Sequence, residues 1–529
     1  MKVVSGQVMQ LMDKRAIGEF GVPGLDLMER AGRGCADAIV EAFGSGAGKR
    51  AVIVAGKGNN GGDGFVVSRL LSEKGWDAPV LLLAAPEAIA GDAAANLARL
   101  APGVVKSVPQ GITGEAGLFA GATVLVDALL GTGMKSEVSG IYGEAIDVIN
   151  AAGVPVVAVD IPSGVDSATG KVLGRAVRAD LTVTFALPKL GNILNPGAEL
   201  CGTLVVADIG MPDAVVAEAE GVEFVDLPGA ALLFRPRPAT AHKGTGGHTL
   251  VVAGSTGKTG AASMAANSAL RAGAGLVTLA VPALLHPVLE GKTTEAMTIP
   301  VGPGAKGYLQ AGALPEIAAA AAARDVVALG PGVGTAPSTV YLVHSLLAAI
   351  RQPLVLDADA LNAVAPEPSL LLKRKGFTTV LTPHPGEMAR LLACSVPEVE
   401  EDRIGCARAF ATKYRVHLIL KGARSIVAAP DGRIAVNGSG NPGMASGGMG
   451  DVLTGVVAAL IGQGYDPFTA CRLGAFVHGF AADLLLETRG SQGMSATDVQ
   501  EALPAALDRI ARARGAHHVL HTDNTSKGE

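Results

Sequence analysis

A chain of 529 residues, 49% hydrophobic and only 3% aromatic, is too long for one ordinary core and too poor in aromatics for an aromatic-rich β-sandwich. Its 71 glycines suit turns in layered α/β domains, and its formal net charge of −5 excludes a general nucleic-acid or anionic-membrane binder while leaving small anionic ligands open. Five scattered cysteines (Cys35, Cys201, Cys394, Cys406 and Cys471), never in a CxxC spacing, point to a reducing, cytoplasmic compartment and no zinc site. The start, MKVVSGQVMQLMDKRAIGEF, carries charges before any signal-like apolar stretch develops. Glycines and charges break the alanine-rich runs elsewhere, so no membrane span is expected.

Through the first half, short apolar runs recur between helical stretches: RAVIVAGKG, APVLLLA, ATVLVDALLGTG, VPVVAVDIPSG, ADLTVTFALP and GTLVVADIG. Runs too apolar to alternate are what strands buried on both faces look like, and their spacing predicts βαβ units around a parallel sheet. AGKGNNGGDGF follows the first run and opens a helix, and Gly56, Gly58 and Gly61 satisfy GxGxxG. A dinucleotide fold also wants an acid at the end of the next strand, but Asp77 precedes that strand. Asn59, Asn60 and Asp63 crowd the same loop; they suit a turn needing positive φ, and equally a ligand site, the reading adopted here. Two later strand ends carry Asp127, then Asp160 with Ser163. Each aspartate alone could cap a helix. Ligands of open parallel sheets bind at the carboxyl edge, where Asn60, Asp127, Asp160 and Ser163 would converge and could hold a hard cation.

GNNGGDG, DALLGTG and DIPSGVD, in that order, resemble the motifs of the NAD(P)H-hydrate epimerase domain over about the first 215 residues. The resemblance implies a Rossmann-like, three-layer α/β/α domain that interconverts the R and S hydrates of NADH and NADPH. It implies a potassium ion on Asn60, Asp127 and Ser163. It also implies a hydrate site lined by Asn59, Asn60, Gly61, Gly62 and Asp63, by Gly131, Thr132, Gly133, Met134, Lys135, Ser136 and Glu137, and by Tyr142 and Asp160. Asp160 is the candidate proton carrier as the hydroxyl departs and water returns.

The strand rhythm fades after Gly210. Prolines, basic residues and glycines in DLPGAALLFRPRPATAHKGTGGH predict a linker, placed at 219–240 between a first domain (1–218) and a second (241–520), with 521–529 a flexible tail. The second domain opens on TLVVAGSTGKTGAASMAA, which looks like a P-loop but is too short by about one residue, since the position five before Gly257 is Val252, inside the strand. Further strands follow in AGLVTLAVP, RDVVALGPGVG, QPLVLDADAL, TTVLTPHPGE and VHLILKGARS, and Asp431-Gly432 predicts a hairpin in SIVAAPDGRIAVNG. GMASGGMGDVLTG then sets Gly447, Gly448 and Gly450 before a helix, an anion cradle with Asp451 at its mouth. Asp451 serves there as an N-cap or as a base; the glycine density favours the base.

This cradle resembles the ribokinase-like fold. HKGTGGHTLVVAGS, TGAASMAANSALRAGAGLV, GPGVG, LDADALN, TPHPGEMARLL, LKGARSIV and ASGGMGDVLTG resemble, in order, the ADP/ATP-dependent NAD(P)H-hydrate dehydratase, from about His242 to about Asp498. The resemblance implies that Ala261, Gly334, His384 and Asp451 meet the hydrate. It implies that Lys421, Gly422, Ala423, Arg424, Ser425 and Gly450 hold the nucleotide, with ADP or ATP as co-substrate and a magnesium ion beside it. Together the two resemblances imply one chain that epimerises both hydrates and dehydrates the S form, as a homo-oligomer acting on small molecules with no nucleic-acid or membrane partner. The alternative is a ribokinase-like small-molecule kinase with a non-catalytic, ligand-binding first domain.

Overall fold

The computed structural model describes residues 1–112, 116–134, 136–304 and 306–522. The chain divides into two units, Lys2–Val222 and the remainder from Glu223. In the first, β1 (Ala51–Ala55), β2 (Val80–Leu82), β3 (Val105–Ser107), β4 (Val124–Ala128), β5 (Val156–Val159), β6 (Leu181–Phe185) and β7 (Thr203–Ala207) form one sheet. Its order is β3-β2-β1-β4-β5-β6-β7, and every pairing is parallel. The strand pleat sends Ala51, Ile53 and Ala55 to one face and Val52 and Val54 to the other. Helices α1 (Gly6–Gly18), α2 (Gly24–Phe43) and α3 (Asn59–Glu73) cover the first face, through Met12, Ile39 and Phe65; α4 (Gly140–Ala151) covers the second through Ile146 and Ile149. This is the expected three-layer arrangement. All six expected strands are present, and the seventh, β3, is short and mostly exposed, so its Val-Lys-Ser sequence gave no apolar signal.

The second unit contains β8 (Val222–Val225), α5 (Leu227–Leu233), β9 (His248–Val252), α6 (Thr259–Arg271), β10 (Leu276–Pro282), β11 (Met297–Val301), β12 (Val326–Leu329), β13 (Leu354–Leu356), β14 (Thr379–Leu381), α7 (Pro385–Leu392), β15 (His417–Leu420), β16 (Ile426–Ala428), β17 (Ile434–Asn437), α8 (Met449–Gly462), α9 (Pro467–Arg489) and α10 (Ala496–Thr522). Its strands run in the order β8-β17-β16-β15-β14-β13-β12-β9-β10-β11. They are parallel from β15 to β11, and the expected β16–β17 hairpin is antiparallel.

One expectation needs correcting. Part of the segment 219–240 is no linker: β8 pairs with β17, and Val225, Ala230 and Ala231 are buried in the second unit's core. Helix α9, long and apolar enough by length and composition alone to cross a membrane, is a core helix that buries Phe468, Cys471, Leu473, Phe476 and Val477. Of the expected tail, 521–522 close α10 and 523–529 lie outside the described residues.

Candidate active sites

In the first unit the strand order reverses between β1 and β4, and a crevice opens at their carboxyl ends, the usual place for a ligand in such a sheet. A cavity of about 920 Å³ lies there. Its wall includes Asn59, Asn60, Asp63, Gly131, Thr132, Gly133, Met134, Ser136, Tyr142 and Asp160. Gly61, Gly62 and Glu137 do not reach the wall, and Lys135 lies outside the described residues. Met9, Ile17, Leu27, Met28, Phe185 and Ile209 supply an apolar side.

Asp160 follows β5 with φ +68, a left-handed conformation that costs an aspartate energy and marks a site held in place by its surroundings. Its Oδ1 accepts from Thr184 Oγ1 at 3.0 Å and from Phe185 N at 3.3 Å, and forms an ion pair with Lys189, whose side chain is 1% exposed. Lys189 also donates to Thr184 Oγ1 (3.1 Å) and Phe185 O (3.2 Å), so the ammonium is fully engaged. Removing either member would strand a buried charge, a change that costs about 3–5 kcal/mol. Asp63 lies deeper; burial, with Asp160 and Asp13 nearby, holds its carboxyl well above the usual range.

Asp127 and Ser163 form a cluster behind this wall, both wholly buried. Ser163 N donates to Asp127 Oδ2 (2.8 Å), Ser163 Oγ to Oδ1 (2.6 Å) and Leu129 N to Oδ1 (3.2 Å). Leu130 N donates to Ser163 Oγ at 2.9 Å, and the next residue, Gly131, packs against the Asn60 side chain, which links Asn60 to the cluster. Burial pushes Asp127 up to about 6, against the pull of those hydrogen bonds. A desolvated carboxylate next to a hydroxyl offers the oxygen donors that a hard cation prefers.

In the second unit the order reverses between β9 and β12. The GSTGKTG turn after β9 is not a phosphate cradle, because Lys258 pairs with Asp359 at 2.8 Å. Asp359 Oδ2 also accepts from Gly334 N (2.9 Å), while Gly332 packs on Lys258 and Ala261, so Ala261 and Gly334 share one wall. Asp357, at the end of β13, is wholly enclosed: Lys421 Nζ and Thr382 Oγ1 donate to Oδ1 and Thr454 Oγ1 to Oδ2, each at 2.8 Å. Ala358, between the two acids, has φ +50, and this strained turn directs both into the site. Burial alone would lower the Lys421 pKa; Asp357 and Glu387 overrule it and raise it.

His384 caps α7. Its Nδ1 accepts from Gly386 N (3.0 Å) and Glu387 N (3.4 Å), which places the neutral ring's proton on Nε2, 3.5 Å from Glu387 Oε1. Burial, Lys421 and Arg390 all lower its pKa and keep it neutral. Asp451 lies in the first turn of α8, where burial and then Asp357 raise its pKa to about 7, against the pull of Lys421. A Cβ at Gly450 would sit 2.9 Å from Lys421 Nζ, so glycine keeps the helix mouth open beside that cation. Gly422 and Ala423 are exposed in the turn after Lys421, Arg424 donates to Gly438 O (2.7 Å) and Ser425 Oγ to Gly422 O (3.1 Å).

Four participants went unassigned from sequence. Lys189 and Asp13 carry no local motif. Asp357 and Glu387 stand inside LDADALN and TPHPGEMARLL, yet only their contact with Lys421, at 2.8 and 3.9 Å, shows what they do.

The fold and the two sites define a two-domain α/β enzyme of small-molecule substrates, with an ion-paired acid in one domain and a near-neutral acid at a glycine-rich helix mouth in the other. Residues 24–191 match the family described as YjeF-related protein N-terminus, and 249–505 match NAD(P)H-hydrate dehydratase. The chain is 43% identical to a bifunctional NAD(P)H-hydrate repair enzyme of Moorella thermoacetica over 96% of this chain and 97% of that one, and it belongs to this family. A protein of the same description from Escherichia coli is 35% identical over 92% of this chain and 90% of that one. A solved ADP/ATP-dependent NAD(P)H-hydrate dehydratase from Bacillus subtilis is 27% identical, covering 55% of this chain and 99% of its own, with a TM-score of 0.46. Relatives that match across both domains do not favour a small-molecule kinase with a non-catalytic first domain.

Proposed function

We propose the following division of labour for a bifunctional repair enzyme that epimerises NADH and NADPH hydrates and dehydrates the S form with ADP or ATP. The observation that carries it is Asp451, an acid with a pKa of about 7 at a glycine-rich helix mouth beside the Lys421–Asp357 pair.

In the second domain, Asp451 takes the proton of the ring hydroxyl as its oxygen attacks the terminal phosphorus of the nucleotide. Lys421 and the backbone N–H groups at Gly450 meet the charge that develops, and the exposed turn of Gly422, Ala423, Arg424 and Ser425 holds the remainder of the nucleotide. Ala261, Gly334 and the Nε2–H of His384 orient the hydrate. Phosphate is then a far better leaving group than hydroxide; its departure restores NADH or NADPH and leaves AMP (or ADP). A magnesium ion would be held mainly by nucleotide phosphates and water. When bound, that ion neutralises phosphate charge.

In the first domain, Asp160, held by Lys189, moves the proton as hydroxyl leaves one face and water returns to the other. Asn60, Asp127 and Ser163 would hold potassium, which fixes the loop carrying Gly131. Five free thiols suit a cytoplasmic location, and assembly into a homo-oligomer is part of the same reading.

The test is recovery of NADH absorbance from mixed R and S hydrates with ADP or ATP and magnesium. Wild type should recover all of the NADH faster than spontaneous epimerisation permits, and Asp451→Asn none. Recovery that stalls once the S form is consumed refutes the epimerase. No recovery with either nucleotide refutes the dehydratase.

A further inference from the structure

The wall of the first cavity contains an acid that the division of labour above does not use. Helix α1 lines the cavity with Met9, Asp13 and Ile17, one turn apart, and with Gln10 and Lys14 beside them, so a carboxyl stands between two apolar side chains at the wall. Its carboxyl interacts electrostatically with both Lys189 and Asp160, the ion pair at the centre of the site. We propose that Asp13 is a second catalytic residue of the epimerase, the acid that protonates the departing hydroxyl while Asp160 receives the proton of the returning water. This rests on the reading of the first domain as an epimerase.

The two carboxyls have opposite surroundings, the arrangement that separates an acid from a base within one site. Asp160 is bound by Lys189, Thr184 and Phe185 N. Asp13 is raised to about 6, by burial first and by Asp160 as a like charge, with Lys189 opposing. The charged groups nearest it are Lys189, Asp160 and Asp63; Lys14 on its own helix, Lys57 and Asp92 stand elsewhere on the wall. Burial raises Asp63 as well, but at 9% exposure it is as enclosed as Asp160, whereas Asp13 is half-buried and more open to solvent.

The step balances. The hydrate is a hemiaminal, and the lone pair of the ring nitrogen forms a C=N bond as the C–O bond breaks. The Asp13 proton goes to the leaving oxygen, which departs as water. Water then adds to the other face; its oxygen forms the new C–O bond, the C=N pair returns to nitrogen, and the spare proton passes to Asp160. Exchange with solvent restores both carboxyls, and the reverse reaction exchanges their roles.

Exchange of pure R into S hydrate is followed by chiral separation in wild type, Asp13→Asn and Asp13→Glu, with dehydration of S hydrate by the same samples as a control on the intact second domain. In Asp13→Asn, kcat for epimerisation should fall by about 100-fold or more with KM nearly unchanged, and Asp13→Glu should regain part of it. An acid must carry its proton, so after background subtraction the wild-type kcat should fall as pH rises through about 6, and Asp13→Asn should lose that limb. Asp13→Asn working within about threefold of wild type, or a wild-type profile with no falling limb, overturns the proposal and leaves the epimerase standing. The wild-type profile decides even if Asp13→Asn does not fold. Wild type that does not accelerate the exchange at all overturns the epimerase reading, and the proposal with it.

Discussion

Burial and the Asp357 carboxylate bring Asp451 to about 7, where a base is poised for work at neutral pH. The base must be deprotonated, so dehydratase kcat is expected to rise with pH through about 7 and then level off. Lys421→Met removes the cation that opposes this shift, so any residual activity should have its rising limb at higher pH; an unmoved limb would mean that another group limits the rate. Both central aspartates were legible in the sequence because each stands beside a strand end or a glycine-rich turn. Lys189 and Asp357, which complete the two sites, were not. Lys189 reaches Asp160 across 29 positions, Lys421 reaches Asp357 across 64, and Thr454 reaches Asp357 across 97. A motif informs over a few residues, whereas ion pairs of this kind arise only when strand ends are brought side by side.

Strands and their following turns were readable for a simple reason: in a parallel sheet covered on both faces, strands are continuous apolar runs. The segment from 219 to 240 misleads because prolines in a sequence read as chain breaks. Pro228 instead lies in the first turn of α5, where proline is favoured, and Asp226 caps that helix by accepting from Gly229 N at 2.8 Å. Helix pairing was equally hidden. α6 and α8 pack so closely that a Cβ at Gly455 would run into Ala265 O and Ser268 Oγ. Gly455→Val should therefore force the helices apart, costing about 1–3 kcal/mol or more and displacing Asp451. The expected outcome is a lower melting temperature and lost dehydration with epimerisation retained; full dehydratase activity would show that the helices tolerate the separation.

Each unit has its own buried core and its own site, so the two reactions need not occur on one molecule. An equal mixture of Asp160→Asn and Asp451→Asn chains should recover NADH completely from R hydrate, although neither variant alone does so faster than spontaneous epimerisation allows. Failure of the mixture would mean that intermediate must pass within a chain. The same partition sets an order of events at the ribosome. Asp13, Asp127, Asp160 and Lys189 all precede residue 223, whereas the second site joins Ala261 to Asp451, a helix contact that cannot form until most of the chain has been made. At roughly 5–20 residues per second, that wait is on the order of ten seconds or more. A first unit that folds as it emerges would rebalance the two epimers before the chain can remove either.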